Sequence, residues 1–383
     1  MHIQRVILRS FRNIAAVDLE LAPGVNILYG ENAQGKTNFL ESIYFCATGR
    51  SHRASRFRDL VMLSEKESSI KIVAQRHSGS VDEIRMEIRQ EGKFSAVNGL
   101  PIHKLGELYG RLSVVVFSPE DLSLVKAGPS GRRRFLDMEL CQLYPAYYHD
   151  LRMYHKVLYQ RNNLLRKINF DDSLRDTLEV WDEQLVLYGS RIMQSRRAFI
   201  DRLGRIAAEN QRNITGGREN LEVIYNNDAE ENSFLDGLKK KRSADIMRGT
   251  TSLGIHRDDI EFRINGEVGR NFASQGQQRT AVLAVKLAEI EIVRAEKGYP
   301  PILLLDDVLS ELDKGRQNYL LHSIEGLQAI ITSTGAESVR GGYLCKRGTR
   351  FFNVKNGEIA PQIFIEKDDK EIQKTIDKAG KIL

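Results

Sequence analysis

Cysteine is scarce: Cys46, Cys141 and Cys345 are the only three, widely scattered and without a CxxC pair. That spacing argues against both a disulfide framework and a zinc site, leaving buried thiols as the expectation. Proline is also rare, at 8 residues, and no simple-sequence tract interrupts the chain, so a disordered or linker-like protein is not indicated. Apolar runs long enough to span a bilayer are absent, so no membrane partner is expected. The opening MHIQRVILRSFRN lacks the charged, apolar and small-residue succession of a secretory signal, which makes the cytoplasm the expected location. Neither sign of charge dominates: 57 basic and 51 acidic residues leave a net +6, which permits a polyanionic partner without requiring one.

What is present is a 383-residue chain, 41% hydrophobic, long enough for two domains or for one domain with a large insertion. Short strand-like segments fill the first 120 residues: Gln4 to Leu8, Val17 to Leu21, Val25 to Tyr29, Ser69 to Gln75, Glu83 to Arg89 and Ser113 to Phe117. Asn98-Gly99 is a hairpin turn signal. From about Gly131 to Arg212 the pattern turns helical, with two heptad seams. One runs through Leu151, Tyr154, Leu158, Leu165 and Ile168, interrupted by Arg161. The other runs through Leu174, Leu178, Trp181, Leu185, Tyr188, Ile192 and Phe199, with Ser195 its polar member. Antiparallel packing of the two predicts an arm projecting from the main body. A polar stretch from Asn226 to Arg242 precedes a strand at Asp259 to Ile264, a helix from Gln277 to Lys297 and a strongly apolar strand, Ile302 to Leu305. The last residues, 366–383, carry apolar positions at helical spacing and predict a charged peripheral helix.

Gly30-Glu31-Asn32-Ala33-Gln34-Gly35-Lys36-Thr37 fits the GxxxxGKT pattern, set between a strand and a helix-like run from Asn38. Glycine at both ends lets the backbone curl around phosphate oxygens and present N–H groups to them. Lys36 is placed to reach the outer phosphates, and the Thr37 hydroxyl to complete the coordination of Mg2+. The apolar strand Ile302 to Leu305 ends in Asp306-Asp307, as a Walker B strand delivers an acid to magnesium. Asp306 is the expected metal-side residue. Upstream, Ala273-Ser274-Gln275-Gly276-Gln277 opens a long helix, and a Ser-Gly-Gln loop at a helix N-terminus is a second anion-binding device.

Together these motifs resemble ATP-binding-cassette ATPases. In that class the Ser274, Gly276 and Gln277 signature would complete the ATP site of the opposite subunit in a head-to-tail homodimer, and Ser310-Glu311-Leu312-Asp313 stands where the D-loop does. Asp307 stands where the class usually has Glu, one methylene longer, so the resemblance implies slow hydrolysis. The expected architecture is an α/β P-loop ATPase head with an inserted helical arm subdomain. Its expected parts are an N-terminal lobe (1–125), the arm (126–245), a C-terminal lobe (246–365) and the charged helix (366–383).

A narrower resemblance, to the RecF family, is carried by Leu8-Arg9-Ser10-Phe11-Arg12-Asn13, the GENAQGKTN loop, Phe117-Ser118-Pro119-Glu120-Asp121-Leu122, Gly254-Ile255-His256-Arg257-Asp258-Asp259 and SQGQQRT. Ile255 departs from the family's usual Pro. The resemblance implies a weak, DNA-stimulated ATPase acting as a switch, with Arg12 and Asn13 helping to hold the nucleotide. It also implies RecO and RecR as partners, loading of RecA at gaps, replication restart and the SOS response.

No helix-turn-helix, zinc-finger or RNA-recognition pattern is present, so DNA contacts are expected to the backbone and not to base sequence. Arg50, His52, Arg53, Arg56 and Arg58 crowd one segment and Arg132-Arg133-Arg134 another. Arg53 and Arg56 are the expected DNA contacts. A transporter subunit is a competing reading, but its switch histidine and Q-loop glutamine are missing; Ile330-Ile331-Thr332-Ser333-Thr334 offers hydroxyls instead, with the one facing the γ-phosphate left open. An SMC-like or nuclease-linked head would need a longer coiled coil or a nuclease domain.

Overall fold

The computed structural model describes residues 1–54, 56–335 and 348–362. The chain opens with β1 (His2–Phe11), β2 (Ile14–Glu20), β3 (Val25–Tyr29) and α1 (Lys36–Thr48). A meander of β4 (Ser68–Gln75), β5 (Val81–Arg89), β6 (Gly92–Val97) and β7 (Leu100–Ile102) leads to β8 (Val114–Phe117). Helices follow: α2 (Ser123–Lys126), α3 (Pro129–Leu143), α4 (Pro145–Ile168) and α5 (Leu178–Thr215). Next come β9 (Leu221–Asn226), α6 (Phe234–Arg248), β10 (Asp259–Ile264), β11 (Glu267–Val268), α7 (Gly269–Phe272) and α8 (Gln275–Lys297). After them lie β12 (Ile302–Leu305), α9 (Lys314–Ser323), β13 (Ala329–Ser333), β14 (Arg350–Lys355) and β15 (Glu358–Gln362).

Two six-stranded sheets organise the body of the chain. The antiparallel one runs β2-β1-β4-β5-β6-β7; the other, β15-β14-β3-β13-β12-β8, is parallel except at β15. The alternating burial of β4 and β5 is what a half-buried antiparallel sheet requires. In β12 all four residues are buried, because both faces of the parallel sheet are covered. Ile302 and Leu304 pack toward α1 and the antiparallel sheet, while Leu303 and Leu305 pack toward α3 and α8. Helix α1 therefore lies between the sheets, its N-terminus fixed beside the ends of β3 and β12. At Asn98-Gly99 both residues have positive φ, 51° and 79°, as a tight hairpin turn demands.

The helical stretch differs from the expected two-helix arm. Helices α4 and α5 pair, linked by residues 169–177, but α6 packs against both as a third member. The 38-residue α5 also continues past the seam to lie along α8 and β9. Arg161, the break in the first seam, is fully buried: it donates to Asp182 of α5 (2.7 Å), Asp245 of α6 (3.0 Å) and Thr251 (2.8 Å). A buried cation with two carboxylate partners fixes the packing of the helices more than it adds stability. The stretch read as polar, Asn226 to Arg242, contains most of α6, and β9 ends where it begins. Cys46 and Cys141 are buried free thiols, as expected; Cys345 and the 366–383 helix lie outside the described residues. Among the described residues no helix is long and apolar enough to cross a membrane.

Candidate functional site

Strand β3 ends at Tyr29, and the chain curls through Gly30 to Gly35 before α1 begins at Lys36. Gly30 has no room for a side chain: a Cβ there would stand 2.2 Å from the Val354 carbonyl oxygen. The buttress is the β14–β15 hairpin, whose turn donates from Asn356 N to Gln34 Oε1 (2.5 Å) and from Gly357 N to Gln34 O (2.9 Å). Gly357 is as constrained, with φ +81° and Asn13 O only 2.0 Å from where a Cβ would sit. Nothing in the 350–362 sequence marks this hairpin as part of the phosphate loop; the contact is long-range.

Asn13, Asn32, Ala33, Gly35, Lys36 and Thr37 line one cleft together with Asn38, Arg53, Asp306, Asp307 and Thr332. Lys36 is nearly buried and its ammonium folds back on the loop, donating to the carbonyls of Gly30 and Glu31 at 2.6 Å each. Burial pulls its pKa below the usual lysine value, opposed by the charges of Asp307 and Asp306. Asp306, also buried, accepts from the hydroxyls of Thr37 (2.9 Å) and Thr332 (2.8 Å). Burial raises its pKa while those two hydrogen bonds resist the rise. Asp307 sits in the left-handed region, φ +53°, its N–H donating to Thr332 Oγ1 at 2.9 Å. A non-glycine residue held there carries backbone strain, a feature that concentrates at functional sites. Of the hydroxyls after Ile331, Thr332 is thus the one built into the cleft.

A second layer was not foreseen. Glu41 on α1 is completely buried and accepts two hydrogen bonds from Arg12, at 3.0 and 2.9 Å, and one from Ser51 at 2.5 Å. Burial pushes its carboxyl up, but Arg12, Ser51 and Arg53 outweigh that and leave it below the ordinary value. The only sequence signal was a charged residue one turn into a helix that buries nearly every side chain. Arg53, expected at DNA, donates to Asn38 Oδ1 (3.1 Å), lies 3.7 Å from Glu41 and lines the Lys36 cleft. Arg56 is exposed at the start of a short 3-10 turn. Arg132, at the head of the basic triplet, is buried and holds Asp259 with two bonds, at 2.7 and 2.9 Å, so it is no free surface cation.

The signature residues form a capping box. Ser274 Oγ accepts from Gln277 N (3.2 Å) while Gln277 Oε1 accepts from Ser274 N (2.9 Å), so α8 starts two residues earlier than expected. Gln277 faces a separate cleft with Asp313, Gly315 and Arg316, which shares no lining residue with the Lys36 cleft. Where cassette transporters carry the Q-loop, Ser118 and Asp121 instead close a capping box around a 3-10 turn. The Gly254-to-Asp259 motif lies elsewhere: Asp258 accepts from Arg196 (2.7 Å), Tyr225 and the Asp228 N–H, tying the helical region to the lobe.

A strand-loop-helix phosphate cradle, an acidic strand end beside its threonine and a capped serine loop at the start of α8 define an ATP-binding-cassette-type ATPase head. The profile described as RecF/RecN/SMC N terminal domain matches residues 2–359. Curated relatives called DNA replication and repair protein RecF include that of Lachnoclostridium phytofermentans, 48% identical over 339 residues, or 88% of this chain and 94% of the relative. Another, from Clostridium botulinum (strain Okra / Type B1), is 43% identical over 366 residues, covering 94% of this chain and 99% of its own. The chain belongs to the RecF family, and its role is in DNA replication and repair. Among solved structures, the recombination mediator protein RecF-ATP in the RecFOR pathway matches with TM-score 0.89 and 36% identity over 94% of this chain and 98% of that one. The Smc head domain of Pyrococcus furiosus, 14% identical with TM-score 0.56 over 98% of this chain and 99% of that one, shares the fold.

Proposed function

We propose that two copies of the chain close on ATP around DNA, each Lys36 cleft capped by the other copy's Ser274-Gly276-Gln277 loop, and that slow hydrolysis reopens them. The observation that carries this reading is the separation of the two half-sites on one chain: the clefts at Lys36 and at Gln277 have no residue in common. An anion-binding loop that does not line the Lys36 cleft of its own chain is explained if it serves a neighbour's.

The cleft suits a magnesium triphosphate. Loop glycines leave no Cβ to obstruct oxygens, and the partly desolvated Lys36 ammonium gains from an anion. Gly30, Glu31, Asn32, Ala33, Gln34 and Gly35 would wrap the phosphates, with Arg12 and Asn13 beside them, while Thr37 and Asp306 hold the metal. Magnesium, when bound, neutralises phosphate charge and polarises the terminal group. Lys36 exchanges two carbonyl acceptors for phosphate oxygens. Thr332 keeps Asp306 and Asp307 in fixed relation, and the Asp307 carboxylate would orient the attacking water and accept the proton that it releases. Its short side chain and strained backbone favour a slow switch, which DNA would accelerate.

The ATP-bound structural neighbour, a recombination mediator protein of the RecFOR pathway, supports RecO and RecR as partners in loading RecA at gaps. The parts proposed are the lobe segments 1–125 and 246–365 and the helical insert 126–245. Sizing by light scattering tests the switch. Lys36→Ala should lose nucleotide binding, and Ser274→Arg should bind ATP yet stay monomeric; unaltered chains that remain monomers with ATP would refute the sandwich.

A further inference from the structure

Outside the nucleotide cleft, a second concavity opens between the turn after α1, the first turn of α3 and the side of α4. Five arginines line it, Arg50, Arg133, Arg134, Arg152 and Arg196, against a single carboxylate, Asp137. Asp137 is already neutralised: it accepts from Arg196 at 2.8 Å and from the Tyr147 hydroxyl at 2.5 Å. Among the described residues, the other four arginines have no carboxylate partner. Arg133 and Arg134 donate only to main-chain oxygens, of Asp258 (2.7 Å) and Ser51 (2.6 Å). Such bonds orient a guanidinium without cancelling its charge. Tyr109 and Tyr148, edge to face at 5.2 Å, form part of the wall.

Four uncompensated guanidiniums from three separate chain segments call for several anionic groups in succession. Guanidinium forks match phosphate oxygens; Tyr109 is buried and Tyr148 half-buried, so the tyrosines shape the wall behind them. The cleft has no glycine-rich loop to wrap a single polyphosphate, which distinguishes it from the Lys36 site. We infer that this arginine-lined cleft seats the phosphate backbone of a DNA strand and is coupled to the nucleotide cleft through residues 50–53. The inference rests on the DNA-binding function proposed above and places its contact surface. The coupling is direct: Arg50 lines this cleft and Arg53 lines the other. Between them, Ser51 accepts from Arg134 and donates to Glu41, which holds Arg12. By linkage, DNA and nucleotide then change each other's affinity by the same factor.

Arg50 and Arg152 are exposed and tied to no carboxylate, so Arg50→Ala/Arg152→Ala should fold normally. Lys240→Ala/Lys241→Ala, on exposed positions of α6, removes equal charge elsewhere. Binding of a labelled DNA duplex would be followed by anisotropy across a salt series, with and without ATP. The cleft variant should lose roughly tenfold in affinity at about 0.1 M salt, and its log–log salt slope should be shallower by about 1.8. It should keep nucleotide affinity and basal turnover but lose acceleration by DNA, while the control behaves as the unaltered chain. Equal losses in both variants, or none in the cleft variant, would overturn the assignment. So would ATP binding that persists in Lys36→Ala and vanishes on adding the cleft substitutions, since that marks a free-nucleotide site. If the unaltered chain binds no DNA under any condition, the functional proposal itself fails.

Discussion

Glu41→Gln is the most informative single substitution, because it removes a charge and almost nothing else. The carboxylate is fully buried and receives three hydrogen bonds, two of them from the Arg12 guanidinium. Hydrogen bonds to charged groups contribute roughly 1.5–3 kcal/mol each and neutral ones about 0.5–1.5 kcal/mol. Since the Arg12 side chain is 22% exposed and water recovers part of its loss, the expected destabilisation is about 2 kcal/mol. The pH dependence has a definite sign. Glu41's folded pKa lies below its ordinary 4.5, so its stabilisation is complete above that value and fades as pH falls through the folded pKa. Urea unfolding of both proteins at neutral pH should therefore show the gap, and acidification through the depressed folded pKa of Glu41 should close it. ATP affinity should fall with it, because Arg12 and Arg53 lose their shared anchor. A gap that is absent at neutral pH, or that persists unchanged in acid, would refute the reasoning.

Gly357→Ala should loosen the phosphate loop from a distance, since the new methyl would meet Asn13 O at 2.0 Å in a left-handed backbone. The expected cost exceeds about 1 kcal/mol, and calorimetric ATP titration should show weakened binding although no residue of the loop has changed. Asp307→Asn should trap a long-lived ATP dimer and Asp306→Asn should impair hydrolysis; phosphate release and sizing together check both, and normal turnover in the two variants would remove the assignments.

The parts legible in the sequence were those where backbone chemistry demands particular residues. Gly30 and Gly35 announce a loop too tight for side chains, and Ile302 to Leu305 can be so apolar only if both faces are covered; the Ser274–Gln277 capping box that starts α8 two residues before the expected Gln277 was not read from the sequence. What stayed hidden depends on partners distant along the chain. Arg161 interrupts a heptad seam, and its reason lies 21 and 84 residues away, in Asp182 and Asp245. Helix α6 was obscured by Lys239, Lys240, Lys241 and Arg242, which occupy its middle while Phe234 and Leu238 carry its burial. Arg53 looked like one more surface cation, yet it lies 3.7 Å from the buried Glu41 carboxylate and lines the Lys36 cleft. Basic residues close in sequence were therefore divided among an ion pair, the Lys36 cleft and the open cleft beside α3 and α4.

The composite ATP site is tested most directly by cross-linking. With Cys345 replaced by Ser and the two buried thiols left in place, Ser274→Cys would be paired with Asn32→Cys and treated with a short bifunctional reagent. The account predicts a covalent dimer that forms only with ATP, its link running from position 274 of one copy to position 32 of the other. Cross-links confined within single chains, or dimers formed equally without nucleotide, would contradict it.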